Sequence, residues 1–251
     1  MKIIRQIEVF APDYLGKMDV LIAGGKILAV EEQLEGGYEG VEVEELSGEG
    51  KVLTPGFIDC HFHILGGGGE GGYQNRTPEV TLSQLTTAGV TTVVGCLGTD
   101  GEGRDMTALI SKAKGLEAEG ISTYVYEGSY RLPVKTVTDS IIKDFLTIDK
   151  IIGIGEIAVS DHRSSQPSFE EFARAVADAR VGGMLSGKAG IINVHLGGGK
   201  RKLELLTRIV EETEIPITQF LPTHANRTPE LFEACVAFAL SLIHISEPTR
   251  P

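Results

Sequence analysis

Two histidines one residue apart end a short apolar run, Gly56-Phe57-Ile58-Asp59-Cys60-His61-Phe62-His63. Alternate residues of a strand share a face. His61 and His63 therefore point the same way and can offer two imidazoles to one cation of the zinc type. A single pair of this kind is weak evidence, since ordinary surface or core histidines look the same. Three more residues give it company. Glu156 interrupts the apolar run Ile151-Ile152-Gly153-Ile154-Gly155-Glu156-Ile157-Ala158, and His195 and His224 each close another apolar stretch. An unpaired buried carboxylate costs on the order of several kcal/mol. Bridging two metal ions removes that cost, as would a basic partner in an ordinary core.

Other polar residues stand beside these candidates. The loop after His63 is Gly66-Gly67-Gly68-Gly69-Glu70-Gly71-Gly72, in which backbone can approach a ligand closely and Glu70 is the lone charge. Tyr130, in Glu127-Gly128-Ser129-Tyr130-Arg131, offers a phenol able to polarise a carbonyl, or simply packs on a loop. Arg163 and Arg227 each follow a ligand candidate by a few residues and carry guanidinium forks suited to carboxylates, unless they form surface ion pairs. His162 reads as a supporting residue rather than a ligand. Gly197-Gly198-Gly199-Lys200 lacks the pattern of a phosphate-binding loop and reads as a flexible rim beside His195.

The elements that must carry these residues alternate. Residues 1–54 read as a small all-β unit with a hairpin at Ala23-Gly24-Gly25. From residue 55 the rhythm becomes strand, loop, helix. Strands are expected at 57–62, 91–97, 121–127, 150–158, 191–196 and 217–223. The helices between and after them span about 78–88, 105–119, 138–146, a stretch from 169, 201–213 and 229–240. Thr77-Pro78 and Thr228-Pro229 are read as helix starts, and Ser168 with Glu171 as a capping box. The strands are apolar on both faces, as in a parallel sheet covered by helices. Six such units fit either a doubly wound sheet or an incomplete (β/α)8 barrel. In a barrel, strand ends form one ring around one mouth. In an open sheet they lie along a line and cannot meet at one metal. The ligand pattern therefore favours an α/β fold of the barrel type, incomplete at six units. Residues 241–251 do not continue the pattern and are read as a non-native tail.

Composition sets the outer bounds. The 251 residues carry a net charge of −12 and are 41% hydrophobic, which disfavours a nucleic-acid or anionic-membrane surface. No long apolar run suggests a membrane span. Three scattered cysteines fit a reducing cytoplasm better than a disulfide framework.

Taken together, these motifs resemble the amidohydrolase superfamily, and within it the isoaspartyl (β-aspartyl) dipeptidases. The superfamily likeness rests on Pro55-Gly56-Phe57-Ile58-Asp59-x-His61-x-His63, the carboxylate of the fourth strand, and the histidines of the fifth and sixth. The dipeptidase likeness rests on the glycine loop with Glu70, Arg76-Thr77-Pro78-Glu79-Val80, Gly98-Thr99-Asp100-Gly101, Ser160-Asp161-His162-Arg163 and Leu221-Pro222-Thr223-His224-Ala225-Asn226-Arg227.

The resemblance implies two zinc ions, one held by His61 and His63 and one by His195 and His224, with Glu156 bridging. It implies a β-aspartyl dipeptide substrate, hydrolysed at its isopeptide bond by a metal-bound hydroxide. Gly68, Gly69 and Glu70 would hold that substrate, Glu70 at its ammonium group, with Thr99 in the same pocket. Tyr130 would polarise the scissile carbonyl, and Arg163 and Arg227 would bind carboxylates. The relatives' assembly into homo-oligomers and a β-sandwich that includes residues 1–54 are further expectations. Two departures stand out. The bridging position is a carbamylated lysine in well-known members and Glu156 here. The family's aspartate base follows an eighth strand, beyond residue 251. The alternatives are a dihydroorotase- or hydantoinase-like cyclic-amide hydrolase, or an inactive metal-binding fragment.

Overall fold

The computed structural model describes residues 1–35 and 40–245. The tail reading for 246–251, and the part of the acidic glycine-rich segment at 36–39, lie outside the described residues. The chain divides into two compact units, Met1–Phe57 and Ile58–Pro251.

The first unit is one sheet of five strands: β1 (Lys2–Phe10), β2 (Tyr14–Ala23), β3 (Lys26–Glu31), β4 (Glu44–Ser47) and β5 (Val52–Leu53). Its order is β3-β2-β1-β4, with β5 also pairing β1. The β2–β3 hairpin turns at Gly24-Gly25 as its residues suggest, with Ala23 paired to Lys26. Ile7, Val9 and Val20 form its buried core.

The second unit alternates strand and helix. Its strands are β6 (Phe57–Phe62), β7 (Val90–Gly95), β8 (Ser122–Glu127), β9 (Ile151–Val159), β10 (Ile191–Leu196) and β11 (Phe220–Thr223). Its helices are α1 (Leu82–Thr87), α2 (Met106–Ala118), α3 (Ile141–Thr147), α4 (Phe169–Ser186), α5 (Glu204–Glu212) and α6 (Pro229–Ile245). The six strands lie side by side in chain order, β6 to β11. The resolved registers from β7 to β11 are all parallel. A doubly wound sheet reverses its order at a switch point. This sheet has none and follows the order of a barrel wall.

Each strand sends one face into the layer beneath the helices. There Val93, Val125, Ile151, Ile154, Phe145, Phe172, Ile192 and Leu206 are buried with their neighbours. At roughly 1.5–3 kcal/mol for each large apolar side chain fully buried, this layer is the main source of the unit's stability. A smaller set on the opposite face, Val94, Cys96 and Tyr126, fills the interior. Helix α4 starts at the expected capping box, with Ser168 N–H donating to Glu171 Oε2 at 2.8 Å and Glu171 N–H to Ser168 Oγ at 3.2 Å.

Several boundaries differ from the sequence reading. The first helix starts at Leu82 rather than 78, because Gln84 Oε1 caps the Thr81 amide. Thr77 instead accepts a hydrogen bond from Gly67 N–H at 2.7 Å, which closes the glycine loop. Residues Ile217–Gln219 form a 3-10 turn, so the last strand starts at Phe220. The last helix runs past residue 240 to Ile245. Among the described residues, no helix is long and apolar enough to cross a membrane.

Candidate metal centre

Glu156 reaches the interior because β9 is irregular. Strict alternation would put Ile151 and Ile157 on one face with Gly153 and Gly155, and Ile154 on the other with Glu156. Instead Ile151, Ile154 and Ile157, three residues apart, all join the helix-side core. Register shifts against β8 and β10 account for this. Such bulges re-aim side chains next to sites. Gly155 makes the second shift possible: its φ is +138°, and a Cβ there would lie 2.5 Å from the Asn193 carbonyl oxygen. Glu156 is thereby turned inward and is fully buried.

Four histidines converge on it. Glu156 Oε2 lies 3.0 Å from His61 Nε2, 3.1 Å from His224 Nε2 and 3.3 Å from His195 Nδ1. Glu156 Oε1 lies 3.7 Å from His63 Nε2. Burial opposes ionisation of Glu156, but the surrounding imidazoles of His195, His224 and His61 outweigh it and hold the carboxyl well below the usual range. Two atoms of this ring, His61 Nε2 and Glu156 Oε1, are buried without an aligned hydrogen-bond partner. Ligand atoms of His61, Glu156 and His224 lie within 4.8 Å of one another. Imidazole nitrogens and carboxylate oxygens facing a common centre, some of them orphaned, are a donor set that suits a divalent cation such as zinc. The residues present therefore fit the metal that the resemblance calls for.

A layer behind the ring orients it, and most of that layer was missed in the sequence. His61 Nδ1 lies 3.3 Å from Asn193 Oδ1, and His63 Nδ1 lies 3.2 Å from the Cys96 carbonyl oxygen. Both partners accept, an arrangement that favours a proton on Nδ1 and leaves Nε2 to face the common centre. Asn193 was findable: it stands two residues before His195 on β10 and shares its face. Asp161 is buried and lies 3.2 Å from His195 Nε2. Sequence reasoning chose its neighbour His162 for a supporting role, but the His162 side chain is exposed.

The candidate substrate residues lie close to the ring. Tyr130 Oη is 2.8 Å from His195 Nδ1, and burial pushes its phenol pKa upward, so it stays a donor. Arg163 lies over the Tyr130 ring, 5.2 Å from its centroid. Arg227 Nη2 lies 3.1 Å from His195 Nε2. Glu70 does not stand free: its Oε1 is 2.6 Å from Arg163 Nη1 and also accepts from Thr99 Oγ1. Thr99 first, then Arg163, lowers the Glu70 pKa. The glycine loop is an ordered hairpin, with Thr77 N–H donating to the Gly67 carbonyl and Asn75 N–H to that of Gly72, both at 3.0 Å. Gly68 pairs with Arg76 across it, and the Gly69 amide is engaged by the Asn75 carbonyl. The Gly197–Gly199 segment, read as a flexible rim, is also packed: Gly199 N–H donates to the Ser160 carbonyl at 2.7 Å.

No family model matches this chain. A solved β-aspartyl dipeptidase from Fervidobacterium islandicum AW-1, in complex with β-Asp-Leu dipeptide, is 54% identical with a TM-score of 0.90. That match covers 95% of this chain and 63% of the other. A solved D-hydantoinase, 20% identical with a TM-score of 0.56 over 97% of this chain and 50% of its own, shares the fold. An imidazolonepropionase from Chromobacterium violaceum is 32% identical over 117 residues, 45% of this chain and 28% of that protein. The chain thus spans less than two thirds of the length of each of these relatives.

Proposed function

Starting from its place beside the β-aspartyl dipeptidases in the amidohydrolase fold, we propose that this chain supplies most of the active site of a metal-dependent β-aspartyl dipeptidase. The observation that carries the reading is the convergence of His61, His63, His195 and His224 on the buried carboxylate of Glu156. These five would hold the cation or cations, with Glu156 at the centre of the ring. A metal there would supply Lewis acidity and make water ionise near neutral pH.

The chain's own residues would do the rest. The substrate carries an ammonium group and carboxylates, and in this reading it displaces the Glu70–Arg163 pair. Glu70 takes the ammonium, and Arg163 and Arg227 take carboxylates as charge-assisted partners. Water adds to the side-chain carbonyl carbon, the C–N isopeptide bond breaks, and the released amine leaves with a proton. The Tyr130 phenol, buried and protonated, would donate to the oxyanion as it forms. The aspartate base implied by the resemblance is not among residues 1–251.

A cyclic-amide hydrolase is the second reading. Such substrates have no ammonium group for Glu70, which favours the dipeptide. The test is a substrate panel with zinc supplied, using a chain carried through to the length of the solved β-aspartyl dipeptidases. β-Asp-Leu should be hydrolysed well ahead of α-Asp-Leu, dihydroorotate and hydantoin. Preference for either cyclic amide would overturn the reading.

A further inference from the structure

We infer that Asp161 is a positioning residue that selects the tautomer of His195. Its carboxylate accepts the Nε2–H of that ring, and the Nδ1 lone pair is thereby turned toward Glu156 and the common centre. The inference rests on the metal-centred reading above and adds to it a residue outside the ring.

His195 is buried between two sets of partners. On the Nδ1 side are Tyr130 Oη at 2.8 Å and Glu156 Oε2 at 3.3 Å. On the Nε2 side are Asp161 Oδ2 at 3.2 Å and the Nη2 atoms of Arg163 and Arg227, each at 3.1 Å. A neutral imidazole has one N–H and one lone pair. With the proton on Nε2, Asp161 accepts it and Nδ1 accepts from the Tyr130 phenol. With the proton on Nδ1, Nε2 accepts from an arginine, and the N–H points at Glu156, where an imidazole lone pair would be needed to hold a metal. Of the three groups facing Nε2, only Asp161 is an acceptor. It also engages one of the two competing donors: Arg163 Nε lies 2.9 Å from Asp161 Oδ1, and Arg163 Nη2 lies 2.8 Å from Asp161 Oδ2.

The surrounding backbone is built to hold Asp161 there. Ser160 adopts a left-handed φ of 52°. Gly197 N–H donates to the Val159 carbonyl at 3.0 Å, and Gln166 Nε2 to the Asp161 carbonyl at 2.8 Å. A Cβ on Gly197 would lie 2.5 Å from Asp161 Cα, so this approach of two loops requires glycine. His61 and His63, by contrast, face acceptors at Nδ1. His195 should therefore carry the opposite tautomer from both.

The experiment is 15N NMR of histidine side chains in the zinc-free chain at about pH 8.5, where an ordinary imidazole is neutral. His195 should show Nε2–H, and His61 and His63 Nδ1–H. In Asp161→Ala, His195 should switch to Nδ1–H. Zinc affinity, read by competition with a chromophoric chelator, should fall about 10–100-fold. Asp161→Glu, which restores an acceptor, should recover part of it. Nδ1–H at His195 in the wild-type chain would overturn the inference, as would unchanged zinc affinity in a folded Asp161→Ala chain. If that variant does not fold, the wild-type tautomer alone decides. Failure of the wild-type chain to bind zinc would count against the metal reading, and the zinc-free tautomer would still decide the role of Asp161.

Discussion

Glu70 Oε1 lies 2.6 Å from Arg163 Nη1, so the two residues with the clearest opposite charges in the pocket neutralise each other. The pair is partly exposed, which limits its worth to about 0.2–1 kcal/mol. A pair this weak is readily exchanged for a zwitterionic ligand that satisfies both halves at once. In a chain carried through to the length of the solved β-aspartyl dipeptidases, the proposed reading expects Glu70→Gln and Arg163→Met each to raise KM for β-Asp-Leu by about tenfold or more, the loss of one charged hydrogen bond. The double variant should cost less than the two combined, because each single change leaves its partner unpaired. Full additivity in steady-state kinetics would show that the two do not act on one substrate.

Tyr130 offers a cleaner test of chemistry. Its hydroxyl is the buried donor nearest the ring, and Tyr130→Phe removes only that oxygen. Loss of one such donor lowers kcat by about 10²–10³. A rate near wild type, measured at saturating β-Asp-Leu, would remove Tyr130 from the mechanism.

Zinc should stabilise the second unit. A ligand bound only to the folded state adds about 2.7 kcal/mol at a hundredfold excess over Kd, equivalent to a rise in Tm of roughly 5–10 °C. Differential scanning calorimetry should show this rise in the 251-residue chain and its reversal by chelator. Glu156→Gln should lose most of it. The same rise in His61→Ala and His224→Ala would place the ion elsewhere.

A second buried carboxyl gives a pH signature. Glu127 is fully buried at the end of β8, and neither of its oxygens finds an N–H or O–H donor among the described residues. Burial first, and the facing Asp144 second, pushes its pKa from the ordinary 4.5 to about 10. Between those values the folded state keeps a proton that the unfolded chain has released. The stability linked to this group is thus full below about 4.5 and declines as pH rises toward about 10. Glu127→Gln should flatten that decline and raise Tm by a few degrees at about pH 9. Parallel pH profiles for wild type and variant would refute a protonated Glu127 in the folded state.

Adjacent glycines should behave differently. A Cβ on Gly197 would lie 2.3 Å from the Ser160 carbonyl oxygen, whereas one on Gly198 meets nothing within 4 Å. Gly197→Ala should cost about 1–3 kcal/mol in denaturant unfolding, and Gly198→Ala should stay within about 0.5 kcal/mol of wild type. Equal costs would mean that this loop does not clamp Asp161.

What the residues determined by themselves was periodic and local. Alternation of strands apolar on both faces with helices announced a parallel sheet. The glycine pair after Ala23 announced a hairpin, and Ser168 with Glu171 a helix start. Histidines at strand ends announced a common mouth, because only in a barrel do the ends of successive parallel strands form one ring. Each of these depends on spacing along the chain, which a sequence displays directly.

Other features depended on contacts between distant segments. Which way Glu156 faces was decided by the register shifts of β9 against β8 and β10. A shift of one residue turns a side chain to the opposite face of the sheet, and no local signal reports it. The Glu70–Arg163 pair joins residues 93 positions apart. Asp161 was passed over for His162 because burial, rather than residue type, separates them. Tertiary packing set these relationships, since each depends on how closely two backbones approach, and that distance is not written in either segment alone.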